Sequence, residues 1–461
     1  MHSSGYERLH DQRSLDASVI SSGIDTFAKS RGCNGGESAP LKRRQSSTST
    51  SQPKRRQQPN NSSTRLAPPH KPAPGLASYI VEHQLQLSLG ILVTLSGIHV
   101  AVPELRPLVR KFYSVSHYNP ATGLFSKGYD DGYFVAFWII AFTFIRSFAL
   151  DHIFTPLAKH GGIKSKKGIV RFTEQSWMMV YYTSSTALGA YLAYNSPYWN
   201  NLIQLWTDWP VRELGGLFKW YYLVQFAFWL QQIFVINIEE RRKDHYQMLA
   251  HHFITCSLMA CSYVYHMTRV GNIILIMMDF VDILLPAAKL LKYLGYHTLC
   301  DYAFGVFLLS WVVVRHLLYN RVVYSVWKDL PAAVPFGCYT SNSTAPLTLS
   351  KHDANLLAIE QSLTFKSDVT CFTDTIQWSF IYMLVFLQIL TLVWLYMIMR
   401  VAYRVIVGGS AEDTRSDDED EGENDIMIDE DHDETPTAVS TGASIGQRAS
   451  RHIPSRSLGN D

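Results

Sequence analysis

Six cysteines occur in 461 residues, and no two of them are spaced as Cys-x-x-Cys. Cys33, Cys256, Cys261 and Cys300 therefore read as structural residues, without the spacing of a paired-thiol or zinc motif. Net charge is also scarce, since 41 Lys and Arg against 39 Asp and Glu leave only +2. Beyond the basic N-terminal arm there is no sign of a nucleic-acid partner, and none is expected. A secretory leader is missing as well: the first apolar run begins near Leu85, after an arm far too long for a short charged n-region.

What is present is unevenly distributed. Residues 1–75 are rich in Ser, Gln, Asn, Pro, Lys and Arg and poor in large apolar side chains. Such a segment cannot offset the entropy of ordering, so a disordered basic arm is expected. Its Lys42-Arg43-Arg44 and Lys54-Arg55-Arg56 clusters read as a polybasic surface near anionic lipid rather than an import signal, given the apolar spans that follow. From 406 to 461 a disordered tail is expected, mostly acidic between Glu412 and Glu434.

Between the tails lie apolar stretches long enough for a hydrocarbon layer of ~30 Å. Eight candidate helices are expected, at 84–102, 133–150, 177–195, 217–236, 247–266, 271–291, 302–325 and 376–404. Backbone polarity demands helix in such a setting, so the fold class is an all-α polytopic membrane protein. Several stretches are interrupted by Ser, Thr, Gln and Tyr, which suits helices packed around a wet cavity. Lys and Arg set the orientation. The arm, the loop 151–176, Arg241-Arg242-Lys243, and Lys289 with Lys292 fall on one side, leaving both tails cytosolic; Arg106, Arg110, Lys111 and Lys127 dissent. The loop 326–375 is then lumenal. It carries the sequon Asn342-Ser343-Thr344, a glycosylation acceptor, and Cys338 and Cys371, either a disulfide closing the loop or two unpaired thiols.

The candidate site is a set of titratable groups inside these stretches. His251 and His252 stand side by side in the fifth, and Asp279 and Asp282 lie three apart on one face of the sixth. Charged groups in a membrane helix cost several kcal/mol unless paired or hydrated, so they are functional candidates by default. The fifth and sixth helices are joined by a short loop and run antiparallel, so the four side chains are expected to meet in a cavity near the cytosolic face. A histidine held by a carboxylate serves as general base or nucleophile. Adjacent histidines point about 100° apart on a helix, so one reacts while the other binds or orients. The alternative is that the four merely hold helices together. A metal site is not expected. His-His is not the i, i+4 spacing that aims two imidazoles at one ion, and the HxxxH and HxxHH boxes of membrane di-iron hydroxylases are missing.

The stretch from Arg241 to Gly295 resembles the signature of ceramide synthases, the longevity-assurance family with a TLC domain. The matching residues are Arg241-Arg242-Lys243-Asp244, His251-His252, Ser262-Tyr263-Val264, Met278-Asp279, Asp282, Lys289 and Lys292-Tyr293-Leu294-Gly295. Arg171-Phe172 with Glu174-Gln175-Ser176-Trp177 is similar to the family's domain entry. The basic arm, eight-span layout and acidic tail are similar to fungal members. The resemblance implies N-terminal helices and loops over 76–170 and a TLC catalytic domain over 171–405, its helices packed as a barrel around a substrate cavity. It implies N-acylation of a sphingoid base by a fatty acyl-CoA, with the acyl-CoA as co-substrate and no cofactor. The catalytic residues it implies are His251, His252, Asp279 and Asp282. The other reading within this fold is a non-catalytic lipid-sensing or translocation-associated protein, which need not keep a histidine pair.

Substrate-binding residues are expected at Arg241, Arg242 and Lys243, at Arg315 and His316 midway along the seventh helix, and at Trp177. The basic triplet either meets the CoA phosphates or only obeys the positive-inside rule. Arg315 and His316 either bond substrate and carbonyls or pair structurally. Ser410, Thr414 and Ser416 each have an acidic residue three positions on, a phosphorylation pattern. Endoplasmic reticulum residence, membrane lipid contact, a homo- or hetero-dimer and a small single-span accessory subunit follow from the resemblance alone.

Overall fold

The computed structural model describes residues 79–80, 82–238, 244–340, 347, 349–365 and 369–407. The basic arm, Arg241, Arg242, Lys243, Asn342, Ser410, Thr414 and Ser416 lie outside the described residues.

All eight expected stretches are helical. Helix α1 (Gln84–Ala101) is followed by the short α2 (Arg106–Tyr113). Helix α3 (Asp131–Phe148) continues through a π-helical turn at Ala149–Phe154 into α4 (Thr155–His160). Then come α5 (Lys166–Tyr194), α6 (Gly216–Ile238), α7 (His245–Val264) and α8 (Thr268–Tyr293). Helix α9 (His297–Val312) passes through a second π-helical turn, Val313–Leu318, into α10 (Tyr319–Ala333). Helix α11 (Lys351–Thr364) and the long α12 (Asp374–Ile406) complete the chain.

The all-α expectation needs correcting at two places. Strands β1 (Tyr118–Asn119) and β2 (Leu124–Phe125) form a two-residue antiparallel pair. Strands β3 (Gly337–Thr340) and β4 (Val369–Phe372) form another, in which Cys338 faces Cys371. Those cysteines are bonded as a disulfide, fully buried, across 33 positions of sequence. The expected loops 151–176 and 326–375 are also shorter than thought, because helices α4, α5, α10 and α11 extend into them. The starts of α5 and α11 are set by side-chain caps outside the apolar runs: Ser165 Oγ accepts from Gly168 N, and Ser350 Oγ from Asp353 N.

Among the described residues, five helical segments are long and apolar enough to cross a membrane: Gln84–Ala101, Asp131–His160, Gly216–Ile238, His297–Ala333 and Asp374–Arg404. Helices α5, α7 and α8 have 29, 20 and 26 residues, long enough to span but more polar. Hydroxyls within α1 are satisfied by carbonyls one turn back, with Thr94 Oγ1 donating to Gly90 O at 2.7 Å and Ser96 Oγ to Leu92 O at 2.9 Å.

Helices α5 and α8 run antiparallel, with Ser185 against Asp279 and Phe172 sharing a cluster with Leu290. Gly189 permits this approach, since a Cβ there would stand 2.9 Å from Ile276 Cγ1. Helix α6 lies against α7, with Tyr222 bonded to Ser262 and Trp229 beside the histidine pair. Gly295, with φ +82°, turns α8 into α9.

Charges are buried where α3 and α6 begin and α7 ends. Lys219 Nζ pairs with Asp131 Oδ1 at 2.7 Å and donates to the Ser126 carbonyl at 2.6 Å. Tyr263 donates to Asp131 Oδ2 at 2.8 Å. In the adjoining turns, His266 Nδ1 lies 3.0 Å from Lys127 Nζ and 3.2 Å from the Val211 carbonyl. Burial, then the Lys219 ammonium, hold Lys127 well below the ordinary lysine value, against the pull of Asp131. Burial, then Lys127 and Arg212, hold His266 well below the ordinary histidine value.

Candidate active site

Helix α7 carries His251 and His252 into the interior about 10 Å along its axis, at ~1.5 Å per residue. Their exposures are 8% and 4%, and the Nδ1 atoms of both are buried without a hydrogen-bond partner. Aromatic rings fix their orientation instead. The His251 ring lies 5.3 Å from Trp394 and 5.4 Å from the His252 ring, and His252 lies 5.2 Å from Trp229. Three helices, α6, α7 and α12, thus contribute to one aromatic enclosure.

The two aspartates of α8 share a face but have different surroundings. Asp279 is wholly buried, and its Oδ2 accepts from Ser185 Oγ at 2.7 Å and Gln225 Nε2 at 2.8 Å. Gln225 is itself oriented by the Tyr181 hydroxyl, which donates to its Oε1. Asp282 pairs with Arg315 at 2.6 Å. The guanidinium also donates to the Met278 carbonyl at 3.1 Å and lies 4.2 Å from the Trp311 ring. The π-helical turn at 313–318 carries Arg315, and such turns often occur at functional sites.

Two cavities meet here. The larger, of about 270 Å³, is lined by His251, His252, Asp282, Arg315, Trp177 and Tyr182 on its inner walls. Its other lining is mixed: Arg146, Glu174, Asp244, His245, Lys289 and Lys292 stand among apolar side chains such as Met248, Leu285, Phe304 and Ile398. The smaller, of about 60 Å³, is almost wholly apolar, walled by Met259, Met267, Val270, Phe380 and Leu384. Trp229 and His251 line both.

Three of the four expected catalytic residues therefore line one cavity, while Asp279 stands behind the wall. No hydrogen bond links either histidine to either carboxylate among the described residues: Arg315 outcompetes a neutral imidazole for Asp282, and two neutral donors hold Asp279. Trp177 lines the cavity, as does Arg315. His316 does not; its Nδ1 meets Gln388 Nε2 at 2.6 Å, on the side of α12, so structural pairing describes it. Among the described residues no cluster of three or more His, Cys, Asp or Glu is disposed to hold a metal ion.

Sequence reasoning missed Ser185, Gln225, Trp229 and Trp394. Gln225 left a signal, an amide within the apolar run Tyr221–Trp229, where an unbonded polar group would be costly. The tryptophans left none, because an aromatic residue in a membrane helix is unremarkable.

Comparison with known proteins gives a consistent picture. The family model for the TLC domain, found in TRAM, LAG1 and CLN8 proteins, matches residues 171–400. The chain is 42% identical to a sphingosine N-acyltransferase-like protein of Alternaria alternata, over 76% of this chain and 79% of that protein. It is 39% identical to a sphingosine N-acyltransferase of Schizosaccharomyces pombe, over 71% of this chain and 78% of the relative. A ceramide synthase of Gibberella moniliformis is 38% identical over 71% of this chain and 76% of its own length.

Proposed function

The chain belongs to the sphingosine N-acyltransferase (ceramide synthase) family of TLC-domain proteins, and from that premise we propose that it N-acylates a sphingoid long-chain base with fatty acyl-CoA, giving (dihydro)ceramide and free CoA. The observation that carries the mechanism is the position of His251, in the wall common to a larger cavity that carries all the charged lining groups and a smaller, apolar chamber. A long-chain acyl-CoA has the same division. Its CoA moiety is anionic and hydrated, its acyl chain is apolar, and the thioester lies between them. A side chain that borders both spaces reaches that junction.

In this mechanism the neutral His251 ring attacks the thioester carbonyl carbon. A C–N bond forms, the C–S bond breaks, and the ring proton released by the acyl-imidazolium converts CoA thiolate to thiol. The sphingoid amine then attacks the same carbon, the C–N bond to the ring breaks, and the amine proton returns to imidazole. A thioester is activated enough to acylate imidazole, and no redox change occurs. His252 orients substrate on the adjoining wall. Asp282, held by Arg315, lines the same cavity, and Asp279, held by Ser185 and Gln225, ties α5, α6 and α8 together behind it, so that both fix the wall against which substrate lies.

The same reading has eight spans in the endoplasmic reticulum membrane, six of them the TLC helices around the cavity, with both tails cytosolic. The support is that eight stretches are helical and that Lys and Arg cluster on alternate connections. Arg241, Arg242 and Lys243 adjoin Asp244 and His245 of the cavity lining, where CoA phosphates would lie. Exposed Leu89, Ile91, Val93 and Val100 of α1 offer a face to lipid, a second copy or a small single-span subunit.

The test supplies purified protein with a sphingoid base and acyl-CoA and quantifies ceramide by mass spectrometry, alongside His251→Ala and Asp282→Ala. Both variants are expected to lose nearly all activity, and acyl-CoA alone should add one acyl group to intact wild-type protein but not to His251→Ala. Ceramide output unchanged in both variants would remove the enzymatic reading.

A further inference from the structure

The buried tyrosines of this protein almost all have a hydrogen-bond partner for the hydroxyl. Tyr181 donates to Gln225, Tyr222 is bonded to Ser262, and Tyr263 donates to Asp131 at 2.8 Å. Tyr319 donates to the Leu384 carbonyl at 2.9 Å and Tyr339 to that of Pro335 at 2.6 Å. Tyr182 is different. It is 6% exposed and lines the larger cavity beside His251, His252, Asp282 and Arg315, yet its hydroxyl bonds to none of the described residues. A buried phenol normally has a partner, so what is missing is whatever enters the cavity.

The ring is held in place. It makes edge-on contacts with Tyr181 at 5.6 Å and Phe228 at 6.2 Å. Its own carbonyl accepts from Ser185 Oγ at 3.2 Å, the same hydroxyl that bonds Asp279. The charged groups facing it are Asp282, Asp279 and Arg315. Other donors near the histidines are committed or shut away. Arg315 gives its Nη2 to Asp282 and the Met278 carbonyl, and its Nε and the indole nitrogens of Trp177, Trp229 and Trp394 are buried away from the cavity space.

We propose that Tyr182 is a catalytic residue that donates a hydrogen bond to the acyl carbonyl oxygen as that oxygen becomes an oxyanion. The assignment rests on the acyl-transfer reading above. When the nucleophile attacks, a bond forms to the carbonyl carbon and the π pair of C=O moves onto oxygen. Tyr182 donates to that oxygen and keeps its proton. On collapse the carbonyl re-forms, and the leaving group departs with the bonding pair, CoA sulfur in the first half-reaction and the imidazole nitrogen in the second. The proton given up by the nucleophile ends on the leaving atom, so thioester and amine yield amide and thiol in balance. The same oxygen becomes negative twice, and one donor serves both halves. A donor aimed at an oxyanion is commonly worth ~10²–10³ in kcat.

Tyr182→Phe removes the donor and leaves the ring. It is expected to lower kcat by roughly 10²-fold or more, with KM for acyl-CoA and sphingoid base within about twofold. Single-turnover acylation and transfer of the acyl group to the amine should both slow. An alkyl-CoA thioether, which lacks the carbonyl oxygen, should bind wild type and variant with equal Kd. Incorporation of 3-fluorotyrosine at 182, which keeps a donor, should restore most of the rate. A Tyr182→Phe enzyme with kcat within twofold of wild type would overturn the proposal. So would parallel losses of kcat and thioether binding, the mark of a structural role. If Tyr182→Phe is normal while His251→Ala is dead, only this assignment falls; if His251→Ala also turns over normally, the acyl-histidine reading falls with it.

Discussion

The Asp282–Arg315 pair allows stability and catalysis to be separated in one double-mutant cycle. Arg315 is 5% exposed and Asp282 26%, the latter toward the cavity. Removing one member of a buried pair typically costs about 3–5 kcal/mol, because the survivor keeps its desolvation penalty without the compensating attraction. Asp282→Leu should fall in that range, since the guanidinium then keeps a bond to the Met278 carbonyl and the Trp311 face but loses the carboxylate that balances its charge. Arg315→Met should cost less, about 1–3 kcal/mol, because the Asp282 carboxylate borders the cavity and can hydrate there. The sum is ~4–8 kcal/mol. If the two are coupled, however, the double variant places apolar groups of similar volume against each other and should lie within about 2 kcal/mol of wild type. Thermal unfolding of the detergent-solubilised full chain reads this out, at roughly 2–4 °C per kcal/mol for a domain of 150–250 residues. The double variant should therefore melt above Asp282→Leu by several degrees while making no ceramide. A double variant as unstable as the two single changes combined would refute the coupling, and one that made ceramide would refute a catalytic role for Asp282.

Two further outcomes follow from other buried groups. Gln225→Leu removes a donor from buried Asp279 and the acceptor of the Tyr181 hydroxyl, so kcat should fall at least tenfold, at about 1.5–3 kcal/mol for a hydrogen bond to a charged group; Ser185→Ala should act in the same direction, and full activity in both variants would show that the Asp279 clamp is dispensable. His266 is held neutral in the folded protein by burial, Lys127 and Arg212, whereas in the denatured chain it titrates near ~6.5; the denatured state thus binds more protons below that pH, and stability should be intact above ~6.5 and fall as pH drops toward 5. The melting temperature of His266→Gln should decline less over that interval, and identical pH slopes for variant and wild type would count against the assignment.

Much of this was legible in the sequence for one physical reason: a polar side chain within an apolar run has to be accounted for. His251, His252, Asp279, Asp282 and Arg315 all announced themselves that way, and the cavity includes four of the five. Which partner each would find was not legible. Asp282 and Arg315 are 33 positions apart, and their meeting depends on how α8 packs on a π-helical turn that leaves no mark in the hydropathy. Ser185 and Gln225 were hidden for a related reason, since one hydroxyl or amide in a long helix has many outlets, including its own backbone. Lys219 stands near the start of the fourth stretch, 217–236, with nothing in the run to mark it as buried; it is fully buried because Asp131 and the carbonyls of Ser116 and Ser126 surround its ammonium. Strands of four residues are too short to show an alternating pattern, so β3 and β4 disappeared into an expected loop, although the Cys338–Cys371 pairing that joins them was one of the two outcomes considered.

The contrast between apolar and polar helices also has a functional logic. Helices α5, α7 and α8 fall short of the apolarity of the other long segments, and they are the helices that present Tyr182 and Ser185, His251 and His252, and Asp279 and Asp282. Those six residues are turned inward, five of them buried and Asp282 half-buried on the cavity wall, so part of the hydrophobic deficit reflects the contents of the cavity. Such a helix is stable in a membrane only when neighbours satisfy what it carries, and α6 does so from the adjacent position with Gln225, while the turn after α9 does so with Arg315. Neutral donors hold one carboxylate and a cation holds the other, while the two imidazoles are left with Nδ1 atoms unbonded and rings fixed only by aromatic contacts. That leaves the histidines, together with the Tyr182 hydroxyl, to bond with whatever enters the larger cavity, His251 also bordering the apolar chamber.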